Sequence, residues 1–400
     1  GIEFGLLSDQ VNAIRAVFSG RHLQVFTSGG EWMVSGDPLT PAAIQLHRQT
    51  RVGSPVDRMV PPVDVEGATV FAARSGGEVV EFAYTDVAQV YQAGDLAMLA
   101  RHLVRDPVAM AYDQRRRLLH VAMRDGALST VTLFRAESVT AWTAQHTDGA
   151  VRSLAEIDGT VWCAVERAGS LRLERFDPAL CTDAALTGRS DAPQDRWRGL
   201  EHLEGRTVSV RADGAPRGPH KVVGGAVTLD EPAMGVEIGL AFAHEIEPLP
   251  VEPAGQAGIA GGPRRLVAAT FRVLDTAALS VDLGRGARPV PLRRMDTPLL
   301  DAPPPAFTGD VTLRGIGWRR DALRPMWRVA GDDPLPFCLL SVTIELRTTD
   351  CWPNSHPWRR WSAPAPPSWP PRNRPGSSRR WPRPRVVSRE AARPSAAAWS

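Results

Sequence analysis

One turn pattern recurs four times in the first half of the chain at a nearly constant interval. The turns are Ser28-Gly29-Gly30, Ser75-Gly76-Gly77, Arg124-Asp125-Gly126 and Arg167-Ala168-Gly169. Their first residues are separated by 47, 49 and 43 positions, which is the length of a propeller blade. Each turn places glycine where a tight hairpin needs positive φ, and runs rich in Val, Leu, Phe and Thr flank it. The pattern predicts four similar hairpins in a repeat protein.

The flanking runs predict two strands around each turn. They are Leu23–Thr27, Glu31–Ser35, Thr69–Arg74, Glu78–Tyr84, Leu118–Met123, Leu128–Phe134, Thr160–Glu166 and Leu171–Phe176. Two more strands fit between successive hairpins, and one such pair is predicted at Ser138–Gln145 and Ala150–Ile157, around Thr147-Asp148-Gly149. Four strands in each repeat make a propeller blade. A sandwich is the alternative, but its turns recur about every 8–12 residues, so a β-propeller over residues 1–190 is favoured.

A second β-rich region, of barrel or sandwich type, is predicted over residues 196–350. Its strands are Thr207–Arg211, Ala226–Leu229, Val236–Ala243, Arg265–Leu274 paired with Ala278–Leu283, Val311–Gly315, Met326–Val329 and Phe337–Leu346. Residues 252–263 are rich in glycine and proline and predict an exposed loop. The best helical candidate in the chain is Gly94–Arg105, with apolar residues at spacings of three and four and Asp95 as its cap. The fold class is therefore all-β.

The last fifty residues, 351–400, differ in composition from the rest of the chain. They hold ten of the 47 basic residues and one of the 44 acidic ones, so residues 1–350 keep 37 basic and 43 acidic groups, a balance of −6. They also hold 11 of the 35 prolines and 6 of the 12 tryptophans, without any hydrophobic period. This composition predicts a disordered tail.

Two origins of this tail are weighed. Arginine can contact phosphates and tryptophan can stack on bases, so the tail could bind nucleic acid. A mixture of Arg, Pro, Ser, Ala and Trp is also what GC-rich DNA encodes when it is read out of frame. The abrupt change after the strand Phe337–Leu346 favours frameshifted translation. At the other end, the chain begins with Gly1 inside a structured pattern, which predicts a fragment of a longer protein.

No catalytic motif is found in the sequence. The chain contains no G-x-S-x-G elbow, no H-E-x-x-H pair and no P-loop. Cys163, Cys181, Cys338 and Cys351 fit no metal-ligand spacing and are expected to be reduced thiols. No run approaches the roughly 18 apolar residues of a membrane-spanning helix. We therefore expect no enzymatic activity, no metal, no other cofactor and no membrane span.

The residues of the first turn and those that follow it resemble a known family. FTSGGEW at Phe26–Trp32 is followed by Leu39-Thr40-Pro41 and Gly53-Ser54, and matching elements continue in order over roughly residues 10–350. Together they resemble the tail tubular protein B family, the nozzle proteins of short-tailed bacteriophages and related prophages. The residues that carry the resemblance, expected to be structural, are Phe26, Thr27, Ser28, Gly29, Gly30, Glu31, Trp32, Gly76, Gly77, Asp125, Gly126, Trp142 and Gly149.

The resemblance implies a structural role in the virion. In that family six copies form a ring below the portal and adaptor, and the ring encloses the channel through which DNA leaves. A propeller lies on the outside of each subunit. The implied partners are further copies of the chain, the tail adaptor, the tail fibres and double-stranded DNA in transit. The implied location is the phage tail, with the host cytoplasm as the site of assembly.

A second function is kept open, a propeller that binds or cleaves surface glycans during host recognition. It predicts a pocket with convergent carboxylates and exposed aromatic rings. Candidate carboxylates are Glu31, Glu78, Glu81 and Asp125, and candidate aromatic residues are Trp32, Trp142 and Trp162. Glu31 and Glu78 follow the same Ser-Gly-Gly turn, which favours a role in the hairpin over catalysis. The tryptophans are expected to pack between blades.

Overall fold

The computed structural model describes residues 3, 12–36, 40–251, 263–292, 303–319, 321 and 324–348. These residues form β-strands and three single-turn 3-10 helices, at Arg101–Leu103, Arg135–Glu137 and Glu201–Leu203, and these ranges contain no α-helix. The prediction of an all-β fold is confirmed. The predicted loop at residues 252–263, apart from Pro263, and the predicted tail at residues 351–400 lie outside the described residues.

Four antiparallel sheets follow one another along the first part of the chain. Sheet A contains β1 (Ile14–Ser19), β2 (Leu23–Thr27), β3 (Gly30–Ser35) and β4 (Gln45–Thr50); sheet B contains β5 (Val63–Val65), β6 (Ala68–Ala72), β7 (Val79–Thr85) and β8 (Val90–Asp95). Sheet C contains β9 (Pro107–Asp113), β10 (Leu118–Met123), β11 (Leu128–Phe134) and β12 (Val139–Gln145); sheet D contains β13 (Ala150–Ile157), β14 (Thr160–Arg167) and β15 (Ser170–Arg175). In each sheet consecutive strands pair, as in propeller blades.

The four recurring turns occupy the same position in each sheet, between its second and third strands. Each joins an antiparallel pair, so the four predicted hairpins are confirmed. Strands in a meander alternate in direction, and the sheet has two ends. The recurring turns therefore lie at the same end as the segments that join successive sheets. The turns between first and second strands lie at the opposite end.

The predicted pairing of Ser138–Gln145 with Ala150–Ile157 is wrong. β12 pairs with β11 and completes sheet C, whereas β13 pairs with β14 and begins sheet D. The turn at Thr147-Asp148-Gly149 therefore joins two sheets. Two strands separated by a turn have the same local sequence pattern whether they pair with each other or belong to different sheets. The pattern therefore does not specify the partner of either strand.

The predicted helix at Gly94–Arg105 is also wrong. β8 extends to Asp95, and of this range only Arg101–Leu103 is helical, as one 3-10 turn. Leu99 is 95% exposed, so the apolar spacing forms no buried face. Ala97 and Val104 are buried instead, and Asp95 accepts a hydrogen bond from the Ala97 amide at 2.8 Å. The polar cap signal marks a turn here rather than the start of a helix.

Successive sheets pack face to face through continuous apolar cores. Sheets A and B are joined by three phenylalanine rings whose centroids lie 5.0 to 6.3 Å apart. The buried side chains at the interfaces include Phe26, Phe71 and Phe82 for A and B, Val65, Leu119 and Val131 for B and C, and Ala122, Val151 and Val161 for C and D. Because each inner sheet buries both faces, its strands consist of apolar runs.

Three further sheets follow. Sheet E contains β16 (Asp183–Arg198), β17 (Thr207–Ala212), β18 (Ala215–Lys221) and β19 (Ala226–Leu240) in the order β16-β19-β17-β18. Sheet F contains β20 (His244–Ile246), β22 (Ser280–Asp282), β23 (Arg288–Pro289) and β25 (Arg328–Gly331), and sheet G contains β21 (Arg264–Thr276), β24 (Phe307–Arg314) and β26 (Leu339–Thr348). Sheets F and G share one core, in which Phe271 contacts Trp327 edge to face at 5.5 Å.

Two strand assignments in this part differ from the prediction. Ala226–Leu229 and the first five residues of Val236–Ala243 belong to one long strand, β19, which ends at Leu240. The exposed middle of β19 includes Pro232, which the sequence pattern presents as a break. The predicted pair of Arg265–Leu274 with Ala278–Leu283 is wrong, because β21 pairs with β24 and β26 while β22 pairs with β23 and β25.

The edge strand β16 crosses the boundary predicted between residues 190 and 196. Most of its side chains are exposed or half-buried, because it pairs with β19 along one side only. Its polar sequence, with Gly188 and Pro193, has the composition of a linker although the backbone is extended. Residues 1–350 together form one compact unit by their internal contacts.

Candidate functional site

Most residues that carry the family resemblance lie in one feature, here called the turn belt. It runs along the end of sheets A to D at which successive sheets are joined. The turn belt consists of the recurring turns at residues 27–30, 74–77, 124–126 and 167–169 and of the joining segments at residues 53–54, 106 and 148–151.

Backbone hydrogen bonds connect the first two turns through the segment between sheets A and B. The Ser54 amide donates to the Thr27 carbonyl at 2.8 Å, and the Arg74 amide donates to the Gly53 carbonyl at 2.8 Å. The Arg74 guanidinium also donates to the Ser28 carbonyl at 3.2 Å. Both sides of the segment are therefore paired, so the connection between sheets A and B has backbone hydrogen bonds as a strand in a ladder does.

The same arrangement continues to sheets C and D. The Asp106 amide donates to the Gly76 carbonyl at 2.6 Å, and the Arg124 amide donates to the Asp106 carbonyl at 3.0 Å. The Val151 amide donates to the Gly126 carbonyl at 2.9 Å. The recurring turns thus tie each sheet to the next.

At two positions of the turn belt, glycine is required because another segment of the chain lies against its Cα. Gly126 has a φ of +93°, and a Cβ added there would lie 2.8 Å from the Ala150 Cα and nearer still to its Cβ. A Cβ at Gly149 would lie 2.8 Å from the Glu166 carbonyl oxygen. Any larger residue would push the joining segment away from the turn.

The side chains of the FTSGGEW segment have separate packing roles. Phe26 faces sheet B, whereas Trp32 lies on the other face of sheet A with an exposed fraction of 7%. The Thr27 hydroxyl donates to the Gly30 carbonyl at 2.6 Å and accepts from the Gly29 and Gly30 amides. The hydroxyl takes the place of backbone pairing inside the turn.

Glu31 is the buried carboxyl of this segment, with an exposed fraction of 0%. It accepts a hydrogen bond from the Thr50 hydroxyl at the end of β4. Burial raises the pKa of its carboxyl from 4.5 to about 7, against smaller lowering effects of Thr50 and of the backbone at Gly53 and Val52. The group is therefore partly protonated near neutral pH.

Arg167 forms the last connection of the turn belt and has an exposed fraction of 7%. Its guanidinium donates to both carboxylate oxygens of Glu174, at 2.7 and 2.8 Å, and to the Asp148 carbonyl at 2.6 Å. It also lies 3.5 Å from the Asp183 carboxylate, at the start of sheet E. One side chain thereby joins the third strand of sheet D to the segments before and after that sheet.

We expect Arg167→Met to lower the free energy of unfolding by about 2 kcal/mol, because Glu174 and the Asp148 carbonyl lose a buried charged donor. Urea-induced unfolding followed by tryptophan fluorescence measures this loss. Arg175→Met on the neighbouring strand β15 is the matched control, because the Arg175 side chain is 58% exposed and its surface ion pair contributes little. Equal losses in the two variants would contradict the role given to Arg167.

The remaining carboxylates proposed for a glycan-cleaving site are engaged separately. Glu78 pairs with Arg101 at 3.2 Å, and Glu81 pairs with Arg135 at 2.9 Å. Asp125 accepts a hydrogen bond from the Ala127 amide within its own turn. With Glu31 enclosed beneath the first turn, the four candidates form no common site.

The three candidate tryptophans also lie apart. Trp32 is buried, and the half-buried Trp142 packs on the core between sheets B and C while its indole N–H donates to the Leu96 carbonyl at 2.8 Å. Trp162 lines a shallow apolar hollow of about 330 Å³ on the outer face of sheet D, beside Ile157 and Leu173. None of the three rings lines the cavity described next.

A cavity of about 870 Å³, here called the central cavity, lies at the end of the sheets opposite the turn belt. The first strand of each of sheets A to D, or the turn after it, contributes to its wall, so four sheets converge on it. Its polar and aromatic lining residues are Phe18, Asp64, Glu66, Tyr112, Gln114, Arg115, Glu156 and Asp158. None of these residues was predicted from the sequence to be a site residue.

Tyr112 is the most enclosed polar residue of the central cavity. Its exposed fraction is 8%, and its hydroxyl is buried with no hydrogen-bond partner. Burial, followed by the negative charge of Glu66, raises the pKa of its phenol. A buried hydroxyl without a partner is uncommon and indicates strain or a group that a bound molecule satisfies.

Other classes of site are not seen in the described ranges. No cluster of three or more His, Cys, Asp or Glu residues there could hold a metal ion. Cys163, Cys181 and Cys338 are free thiols, and burial raises the pKa of Cys163 to about 12. Within the same ranges, no helix has the length and apolar character needed to cross a bilayer.

Comparison with known proteins gives little guidance to function. No family model matches the chain, and no curated protein matches it. Among solved structures, the chain is similar to the extracellular domain of a hybrid two-component system of B. thetaiotaomicron, with 10% identity and a TM-score of 0.28. The match covers 86% of this chain and 45% of that domain. The chain thus spans less than half of the structure it matches, and a likeness of this size carries no argument about function.

Proposed function

We propose that this chain is a structural subunit of the tail nozzle of a short-tailed bacteriophage or related prophage. Copies of the chain form a ring through which DNA leaves the virion, and the ring docks on the tail adaptor and carries tail fibres. The subunit is made in the host cytoplasm and resides in the phage tail. It requires no cofactor and catalyses no reaction.

The observation that carries the proposal is the turn belt. Most of the residues that resemble the nozzle family lie at the connections between sheets or under the first turn, where backbone hydrogen bonds and close contacts connect four successive sheets. Residues of a catalytic site would instead converge on a cleft. A rigid array of paired strands suits a conduit that must keep its shape while DNA passes.

The charge of residues 1–350 supports the same role. Their balance of −6 gives the folded part little general attraction for DNA. Each arginine or lysine docked on a phosphate adds salt-dependent affinity, which would slow a passing duplex. A closed ring of copies requires a heterologous interface, in which two different faces of the subunit meet.

Docking on the adaptor tests this function. We expect the purified full chain, mixed with the adaptor ring of the same phage or prophage, to form ring-shaped particles with sixfold symmetry in negative-stain images. The adaptor of an unrelated phage is the control and should not be bound. Free adaptor rings beside free monomers at micromolar concentrations would contradict the proposal.

The central cavity favours a second candidate function, glycan binding during host recognition. It combines carboxylates from two strand–turn segments with two aromatic side chains, as a sugar site does. A glycan array probed with the full chain tests this function directly. Saturable retention of one glycan class that Glu156→Gln abolishes would support it, whereas binding to no glycan would exclude it.

A further inference from the structure

The wall of the central cavity carries an excess of negative charge. Asp64, Glu66, Glu156 and Asp158 line it, and Arg115 is the one cationic residue among its lining residues. Asp64 and Glu66 lie in β5 and in the turn after it, and Glu156 and Asp158 lie in β13 and in the turn after it, so residues distant in sequence meet at one opening. A concave surface lined by one sign of charge concentrates the field and attracts ions of the other sign.

Part of this charge is neutralised by neighbouring cations, and the Arg115 guanidinium donates to the Asp158 carbonyl at 3.5 Å. Glu66 lies 3.4 Å from Arg117. Asp64 and Glu156 accept hydrogen bonds from backbone amides of their own turns, which leaves their charge in place. The Asp158 carboxylate has no ion pair or hydrogen bond within the described part of the chain.

Tyr112 supplies an observation independent of the acidic residues. Its side chain lies in the wall between the two acidic turns, and its hydroxyl lacks a partner although it is more than nine-tenths buried. Burying an unpaired hydroxyl costs about 1–3 kcal/mol. A ligand that donates a hydrogen bond to the phenol oxygen would remove that cost. The aromatic faces of Tyr112 and Phe18 also attract cations.

We propose that the central cavity binds a molecule that carries two or more ammonium groups. Ammonium N–H groups donate to the carboxylates of Glu156 and Asp158 on one side and of Asp64 on the other. The phenol oxygen of Tyr112 accepts a further N–H, and the volume of about 870 Å³ accommodates a small ligand. The inference does not depend on the nozzle proposal.

Three sources share this chemistry. They are a linear polyamine, an oligomer of amino sugars and a lysine-rich peptide of a partner protein. All present ammonium groups separated by several bonds, so the cavity alone does not distinguish them. Spermidine, deacetylated chitotriose and trilysine represent the three sources in the experiment, and N-acetylated chitotriose is the uncharged control for the sugar.

Isothermal titration of the full chain with spermidine tests the proposal. We expect saturable binding of one equivalent, which weakens as sodium chloride is raised because the charges are partly exposed. The double variant Glu156→Gln and Asp158→Asn should bind roughly tenfold more weakly, since each change removes a charged acceptor. Asp230→Asn, an exposed carboxylate of sheet E outside the cavity wall, is the matched control and should bind as the unaltered chain does.

Tyr112→Phe separates a binding role from a structural one. Removing a buried hydroxyl without a partner should leave the free energy of unfolding unchanged or slightly higher. Spermidine affinity should nevertheless fall several-fold, because the phenol oxygen is lost as an acceptor. A thermal unfolding curve of each variant shows that the fold is intact before its affinity is compared.

Each outcome of these binding experiments either supports or overturns the ammonium site. Binding that the double variant and Tyr112→Phe weaken, and that Asp230→Asn leaves intact, establishes the ammonium site, and the tightest of the three probes identifies the source. No saturable binding of any cationic probe overturns it. Equal binding of N-acetylated and deacetylated chitotriose also overturns it and supports the glycan function instead.

Discussion

Gly126→Ala is expected to lower the free energy of unfolding by roughly 3 to 4 kcal/mol. Gly126 has a φ of +93°, where a side chain costs about 1–2 kcal/mol. The added methyl group would also overlap the backbone of Ala150, and overpacking of this kind costs about 1–3 kcal/mol. Urea-induced unfolding followed by tryptophan fluorescence measures the difference.

The equivalent glycine of sheet D provides the control. Gly169 has a φ of +78°, but a Cβ added there meets no atom within 4 Å. Gly169→Ala should therefore cost only the backbone term, about 1 kcal/mol. If both variants lose the same stability, the contact between the third recurring turn and the segment before sheet D does not hold the sheets together as we describe.

Glu31 is expected to make stability depend on pH by an amount on the order of 3 kcal/mol. Its pKa rises from 4.5 to about 7 in the folded chain, so the folded state holds its proton more tightly than the unfolded state. Its contribution is fully present below pH 4.5 and is lost as pH rises towards 7. Glu31→Gln does not titrate and should be more stable than the unaltered chain at pH 8, but similar to it at pH 4.5.

The effect of Glu31 is measured at each pH as the difference in the free energy of unfolding between the unaltered chain and Glu31→Gln. Burial lowers the pKa of His120 from 6.5 to about 4, so its contribution is lost as pH falls through the same window. The two effects oppose each other in the unaltered chain. Subtracting the Glu31→Gln profile removes the effect of His120, because that residue is present in both. A difference that does not change between pH 4.5 and 8 would contradict the assignment of Glu31.

The sequence predicted the recurring hairpins because their information is local. Glycine at a turn and apolar residues on both sides specify a pair of neighbouring strands. The predicted bounds Leu23–Thr27 and Leu118–Met123 agree with β2 and β10. One of these turn glycines also lies where two segments of the chain are in close contact, since Gly126 is a turn residue and also contacts the segment before sheet D.

The pairing of strands outside the hairpins could not be predicted, because it depends on contacts between segments that are distant in sequence. β12 and β13 follow one another around a turn, yet they belong to different sheets. The apolar spacing at Leu96, Leu99 and Leu103 suggested a helix, but the chain offers no surface for Leu99 to cover. Tertiary packing overrides local preference in both cases.

The central cavity was missed for the same reason. Its signals were present in the sequence as the acidic turns at Glu66-Gly67 and Asp158-Gly159, which resemble any exposed hairpin turn. Their convergence depends on how four sheets are arranged, and that arrangement is set by cores formed between residues far apart in the chain. Tyr112 gave no signal at all, because an apolar strand with one tyrosine predicts only packing.

The assembly state of the chain tests the central claim most directly. Native mass spectrometry of the purified full chain, at concentrations from nanomolar to micromolar, measures it without the adaptor. The nozzle proposal predicts a closed assembly of six copies that grows with concentration and lacks intermediate open chains at saturation. A chain that stays monomeric over the whole range, and that also leaves its adaptor ring unbound, would contradict the proposal.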